Sequence, residues 1–270
     1  MNHPTMRHLS MIRLGILICG HFVDEIKANY GTYRDLYAEM LGEGYQCVAY
    51  FVCDGEFPTA IDEQDAWLVS GSRSGAYEDL PWIKPLEAFL VEAYSAQVPI
   101  VGICFGHQIL AQALGGRVEK FDGGWSFGPV EYHFEDGPSQ TIVAVHQDQV
   151  TALPPGARVI AKTDFCEYAG LAYDTGKALS FQPHPEFSTA FITELVDLYT
   201  DRLPADIIAS ARTALDRPLD RGIMAQQIGN FLRKSLGVLS EQRLPTASTA
   251  TTTTATTTTT AAAPPQETAS

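Results

Sequence analysis

The chain has 270 residues, 45% of them hydrophobic and 19% charged, a composition that fits an ordinary soluble globular protein and excludes a disordered one. Eighteen Lys and Arg against 32 Asp and Glu leave a net charge of −14. That balance excludes nucleic acid as the main partner, because phosphate binding needs a cationic surplus, and no apolar run reaches the ~20 residues of a membrane-spanning helix, so no membrane partner is expected.

Residues 1–10 are polar, lack the apolar core of a secretory signal and precede the first apolar run, so they read as an N-terminal extension. Five cysteines (Cys19, Cys47, Cys53, Cys104 and Cys166) are an odd number without paired spacing, which suits free thiols in a reducing cytoplasm. Cys19, Cys47, Cys53 and Cys166 read as small buried apolar residues. No CxxC or HExxH spacing supports a metal site, and no cofactor is expected.

In chain order, Arg13–Cys19 reads as a fully buried strand. Thr32–Gly42 has helical spacing, with apolar or aromatic residues at 33, 36, 37, 40 and 41. Gln46–Val52 and Ala66–Val69 are further strands, and Trp82–Ala96 is a helix with Leu86, Phe89, Leu90 and Ala93 on one face. Pro99–Ile103 is another buried strand, followed by a helix over Gly106–Leu114 that Gly115 and Gly116 end. From Arg117 to Ala152 the strand-like pieces are shorter and more polar, including Val130–Phe134 and Thr141–Val145. Arg158–Thr163, Gly170–Tyr173 and Ala178–Phe181 continue that style. Helices return over Thr189–Leu203, Ala205–Ala214 and Asp220–Leu236. The pattern predicts an α/β fold over residues 11–240: a mostly parallel sheet flanked by helices, with an antiparallel strand region appended. Residues 245–270 are almost wholly Thr, Ala and Pro and read as a disordered tail.

The sharpest chemical signal is PIVGICFGHQILAQALGG, residues 99–116. Cys104 falls where a strand gives way at once to a helix, with Gly102 two residues before it and Gly106 two residues after. A nucleophile on such a turn sits in a strained backbone conformation, and neighbours without a Cβ allow the close return of the chain. The helix N-terminus also favours thiolate, the reactive form. A thiol nucleophile needs a base, and the base needs an orienting group. QPHPEF, residues 182–187, offers both. Each proline pushes the residue before it towards an extended conformation, and in extended chain His184 and Glu186 point to the same side. Among the other histidines, His107 reads as structural, His133 as surface or strand packing, and His146 as a residue bordering the pocket.

Acyl transfer requires N–H donors for the oxyanion. The backbone N–H of Phe105 is one candidate, and the SGS turn that follows Ala66–Val69 supplies Gly71, with Ser72 beside it. Trp125 and Phe127, in the loop GGWSFG, either pack or border the site.

GxCxGxQ on a strand–helix elbow, with HxE about 80 residues later, resembles the class I glutamine amidotransferases, whose fold is flavodoxin-like. HQDQV and the SGS turn look most like the glutaminase part of GMP synthase and its stand-alone relatives, the plant γ-glutamyl peptidases among them. The resemblance covers roughly residues 12–200. It implies Cys104 as nucleophile, His184 as base, Glu186 as its orienting carboxylate, Gly71 and Phe105 as oxyanion donors, and Gln108 as a substrate contact. Ser72 and His146 join Gln108 as candidate substrate-binding residues. The implied reaction forms a γ-glutamyl thioester from glutamine or a γ-glutamyl compound, releases ammonia or an amine, and ends in glutamate. The chain carries no glycine-rich phosphate loop, so an ammonia-accepting synthetase would be a separate protein. Three readings stay open: a stand-alone hydrolase, a subunit that feeds a synthetase partner, and a non-catalytic binding protein on the same fold.

Overall fold

Alternation of apolar residues along the early strands divides the interior in two. The computed structural model describes residues 11–238; the expected extension at 1–10 and the Thr/Ala-rich tail at 245–270 lie outside the described residues. The chain runs β1 (Ile12–Leu17), α1 (Asp24–Tyr30), α2 (Tyr33–Leu41), β2 (Tyr45–Tyr50), β3 (Ala66–Val69), α3 (Ile83–Ser95), β4 (Ile100–Ile103) and α4 (Phe105–Ala113). The strands β5 (Arg117–Lys120), β6 (Ser126–Phe134), β7 (Gln140–His146), β8 (Asp148–Ala152), β9 (Ala157–Lys162), β10 (Gly170–Tyr173) and β11 (Ala178–Phe181) follow. Three helices close the described chain: α5 (Thr189–Leu198), α6 (Ala205–Ala214) and α7 (Arg221–Ser235).

One sheet of nine strands has the order β2-β1-β3-β4-β11-β10-β9-β6-β7, and β5 pairs with β8 in a separate ribbon. From β2 to β11 the neighbours are parallel; from β11 outwards they are antiparallel. Leu14, Ile16, Leu68, Val101 and Ile103 face one apolar cluster with the buried residues of α1, α2, α5, α6 and α7. Leu17, Trp67, Val69 and Ile100 face the other, with α3 and α4. Strands β3 and β4 are thus buried on both faces, which is why they read as continuous apolar runs.

Helix α1 was not expected from the sequence. It is seven residues long and buries only Ile26, so it has no apolar period to show. Strand β6 begins at Ser126, four residues earlier than expected, because pairing with β7 from Ser126↔His146 onwards carries the strand through Gly128 and Pro129. Helix α5 stops at Leu198, and the chain turns there, with Leu203 N–H donating to the Tyr199 carbonyl. Of the four cysteines expected to be buried, Cys53 is instead partly exposed.

Candidate active site

Strands β4 and β11 are adjacent and parallel, so whatever follows each of them emerges at the same edge of the sheet. Cys104 follows the first directly, and His184 comes three residues after the second. The Cys104 N–H donates to the Phe181 carbonyl at 2.8 Å, which ties the two strand ends together.

Cys104 has φ 53° and ψ −105°, a conformation that side chains other than glycine rarely adopt. The flanking glycines are there for contact. A Cβ on Gly102 would stand 2.5 Å from the Gly106 carbonyl oxygen, and one on Gly106 would stand 2.2 Å from that of Val69. Helix α4 therefore starts pressed against β3 and β4, with Phe105 as its first residue. The Phe105 N–H belongs to the first turn and has no acceptor within its own helix.

His184 and Glu186 are both buried. The His184 N–H donates to the Val143 carbonyl of β7 at 2.8 Å, which holds the backbone. Its Nδ1 lies 2.7 Å from Glu186 Oε1, so Nδ1 carries the proton it donates and Nε2 is the other ring nitrogen. Tyr37 donates its hydroxyl to the same carboxylate oxygen at 3.1 Å. Arg221, at the start of α7, donates to the carbonyls of Pro185 and Glu186 at 3.2 Å each. Phe187 stacks on the imidazole, ring centres 4.2 Å apart and planes 7° from parallel. Burial alone pushes the His184 pKa down, but the charges of Cys104 and Glu186 more than offset it, and the pKa rises to about 10.

The other expected residues lie around the same point. A Cβ on Gly71 would meet His184 Cε1 at 2.9 Å and the Tyr33 hydroxyl at 3.0 Å, so the SGS turn runs directly against the imidazole. Ser72 lines the cavity, with its hydroxyl accepting from the Ser74 N–H at 3.1 Å. Gln108 also lines the cavity, although its amide donates to the Asp148 carbonyl at 2.8 Å and to Gln182 Oε1 at 3.1 Å. His146 is buried beside His184, its Nδ1 3.2 Å from the Asp148 carbonyl, and burial lowers its pKa to about 3. It is neutral at any ordinary pH. His107 is buried against Ser180 Oγ at 2.8 Å, away from the cavity lining, and His133 is exposed beside Ser139. Trp125 lines the cavity, whereas Phe127 is buried and packs on Tyr199.

Three contributors were not singled out from the sequence. Gln182 donates to the Cys104 sulfur at 3.6 Å; it stands two residues before His184 in extended chain, so the alternation that paired His184 with Glu186 also pointed to it. Tyr37 and Arg221 come from distant helices, and nothing in their local sequence marks them.

These groups meet at a cavity of ≈390 Å³. Ser72, Arg73, Glu78, Gln108, Lys120 and Asp148 give its lining polar groups; Phe22, Trp125, Leu198 and Tyr199 give it apolar ones. At the rim, His21 Nε2 contacts both Asp54 carboxylate oxygens at 2.9 and 3.1 Å, with Cys53 Sγ 3.6 Å away. This trio is the one group of described residues with metal-ligand spacing. His21 Nε2 is already taken by the Asp54 carboxylate, and burial followed by the Asp54 charge raises the Cys53 thiol to about 11.

Fold, elbow and buried imidazole–carboxylate pair define an α/β protein that gathers a cysteine, a histidine and a glutamate at the ends of adjacent strands. Residues 31–193 match the family Glutamine amidotransferase class-I, and the chain belongs to that family. γ-Glutamyl peptidase 4 of Arabidopsis thaliana is 27% identical over 232 residues, a match that spans 79% of this chain and 92% of that one. GMP synthase of Thermus thermophilus is 38% identical over 126 residues, which cover 44% of this chain and 24% of the synthase. Among solved structures, a glutamine amidotransferase from Thermotoga maritima superposes with a TM-score of 0.65 at 19% identity, over 84% of this chain and 98% of its own. At that identity the likeness is one of fold.

Proposed function

We propose that the protein hydrolyses the γ-glutamyl amide bond of glutamine or of γ-glutamyl compounds, with Cys104 as nucleophile. The observation that carries this reading is Cys104 at positive φ, beside an imidazole that is buried, raised in pKa and tied to Glu186 at 2.7 Å. A cysteine in that conformation without such a partner would be strain with no return.

The steps follow from the groups. With His184 holding a proton, Cys104 carries the negative charge as thiolate and attacks the γ-carbonyl carbon. The carbonyl oxygen becomes an oxyanion, for which the N–H groups of Phe105 and Gly71 are the donors at hand. As the intermediate collapses, His184 Nε2 gives its proton to the departing nitrogen, and the C–N bond breaks to leave a γ-glutamyl thioester. The now neutral His184 takes a proton from water, whose oxygen attacks the thioester; glutamate leaves and the thiolate returns. Glu186 holds the imidazole in the required tautomer and offsets its charge. Arg73, Lys120, Glu78 and Asp148 all line the cavity, charges of both signs that suit the ammonium and carboxylate of a glutamyl group. The likeness to proteins named γ-glutamyl peptidase supports the same substrate class.

The test is glutamate release by the purified chain, with glutamine and γ-glutamyl peptides offered separately. Turnover that Cys104→Ala abolishes supports the reading; turnover that survives this change overturns it. A second reading, a glutaminase subunit that delivers ammonia to a separate synthetase, is favoured by the match to part of GMP synthase. It predicts glutamine turnover that is slow alone and rises when the partner is added.

A further inference from the structure

Register places Gln182 beside the sulfur of Cys104. Strands β4 and β11 run parallel with Ile103 level with Phe181, so the next residues along, Cys104 and Gln182, leave the sheet side by side. Gln182 is fully buried, and its side-chain nitrogen stands 3.6 Å from Cys104 Sγ. Gln108 lies one turn along α4 from the same cysteine, its backbone N–H donating to the Cys104 carbonyl at 3.0 Å.

One carbonyl decides which end of the Gln182 amide faces the sulfur. The Asp148 carbonyl oxygen can only accept, so the Gln108 side-chain atom 2.8 Å from it is the amide nitrogen. That same nitrogen lies 3.1 Å from the Gln182 side chain. Its second hydrogen needs an acceptor there, so the Gln182 oxygen takes that side and the Gln182 nitrogen is left pointing at Cys104. Turning either amide over would set two oxygens or two nitrogens against each other. Both side-chain hydrogens of Gln108 are engaged in this relay, which leaves only its Oε1 for a ligand.

A neutral thiol is a weak acceptor, so a buried N–H aimed at one is poorly satisfied. A thiolate accepts strongly, and a hydrogen bond to the charged form of a group favours that form. The relay is therefore best satisfied when the sulfur is charged. Unlike the imidazole of His184, an amide does not titrate, so its dipole acts on the sulfur at every pH.

We propose that Gln182 is a catalytic hydrogen-bond donor to the Cys104 thiolate, and that Gln108 is a positioning residue that fixes which end of the Gln182 amide meets the sulfur. The inference rests on Cys104 as the nucleophile of the reaction above. The bond is strongest before attack and again as the thioester breaks, the two points at which the sulfur carries charge.

The test is the pH profile of Cys104 alkylation by iodoacetamide in the full chain, read by mass spectrometry of the peptide that carries it. Gln182→Met keeps the length of the side chain and loses the N–H. The acid limb of the profile should move up by about one pH unit in a protein that still folds. A limb that stays in place overturns the role given to Gln182. If Gln182→Met does not fold, Gln182→Asn keeps an amide that falls short of the sulfur, and the same shift and the same overturning result apply. Gln108→Leu should move the limb by less, and adding it to Gln182→Met should move it no further. No shift in Gln108→Leu, or additive shifts in the pair, overturns the role given to Gln108. Glutamate release separates this inference from the reading beneath it. A moved limb without any Cys104-dependent release refutes the hydrolase and leaves the hydrogen bond standing. Cys104-dependent release with an unmoved limb refutes the inference and leaves the hydrolase standing.

Discussion

His184 is a buried group whose charge is stabilised by its neighbours, and the consequences can be measured. Its pKa rises to about 10, with the charges of Cys104 and Glu186 opposing the downward push of burial. Removing either charge should therefore lower it, and NMR titration of the imidazole should find a lower pKa in both Cys104→Ala and Glu186→Gln. A value unchanged in both would show that the thiolate–imidazolium pair does not form. Stability follows the same linkage. The folded pKa lies above the ordinary 6.5, so the protonated imidazole stabilises the fold fully below about pH 6.5, and the contribution is lost as pH rises through about 10. The melting temperature should fall across that window, less steeply in Cys104→Ala. For catalysis, kcat/KM should fall on the alkaline side near pH 10, where His184 in the free protein no longer holds a proton for the leaving nitrogen. Tyr37→Phe removes one of two hydrogen bonds to Glu186 Oε1. It should cost kcat several-fold and KM little, because Tyr37 acts through Glu186 and touches no substrate.

At the scale of elements, the site depends on how closely α4 can approach the sheet. Gly106→Ala puts a methyl group 2.2 Å from the Val69 carbonyl oxygen, and both atoms belong to backbone that cannot swing aside. Overpacking of this kind costs about 1–3 kcal/mol, readable as a lower urea midpoint with unchanged slope. Turnover should fall further than stability, since α4 carries the Phe105 N–H. A variant with normal stability and normal turnover would mean that the elbow does not need its tight approach. Arg221→Ala should slacken the His184–Glu186 segment from the side of α7, as loss of activity in a protein that still folds. The parallel strands and the elbow were legible in the sequence because both are local: four to six apolar residues in a row, then a cysteine between glycines. Helix α1, with one buried residue, left no such trace. The start of β6 was hidden by Gly128 and Pro129, whose strand conformation is imposed by β7.

For the molecule as a whole, the charge of −14 and the local charge at the cavity have opposite signs. Arg73, Lys120 and Arg202 outnumber Glu78 and Asp148 among the lining residues. Salt screens charges more than about 8–10 Å apart at moderate ionic strength, so an anionic substrate near the mouth responds mainly to the local cations. kcat/KM for a γ-glutamyl dipeptide should decline as salt is raised, and more steeply than for glutamine, which lacks the second carboxylate. A rise with salt would mean that repulsion by the whole acidic surface governs entry. The long-range assembly of the site was only partly legible for a related reason. Cys104, His184 and Glu186 announce themselves in short motifs. Tyr37 and Arg221 come from separate helices, and only the folded chain brings them to the same place.

The pairing of β4 with β11 also sets an order in time. Cys104 and His184 emerge from neighbouring strands, yet His184 is translated eighty residues after Cys104. At about 5–20 residues per second that interval is on the order of 4–16 s. Throughout it the growing chain carries Cys104 without the imidazole and carboxylate that lie beside it in the folded protein. With the thiolate proposed above, Cys104 should be alkylated faster in the whole protein than in a chain truncated before β11, and an equal rate in the two would mean that docking of β11 does not change the thiol.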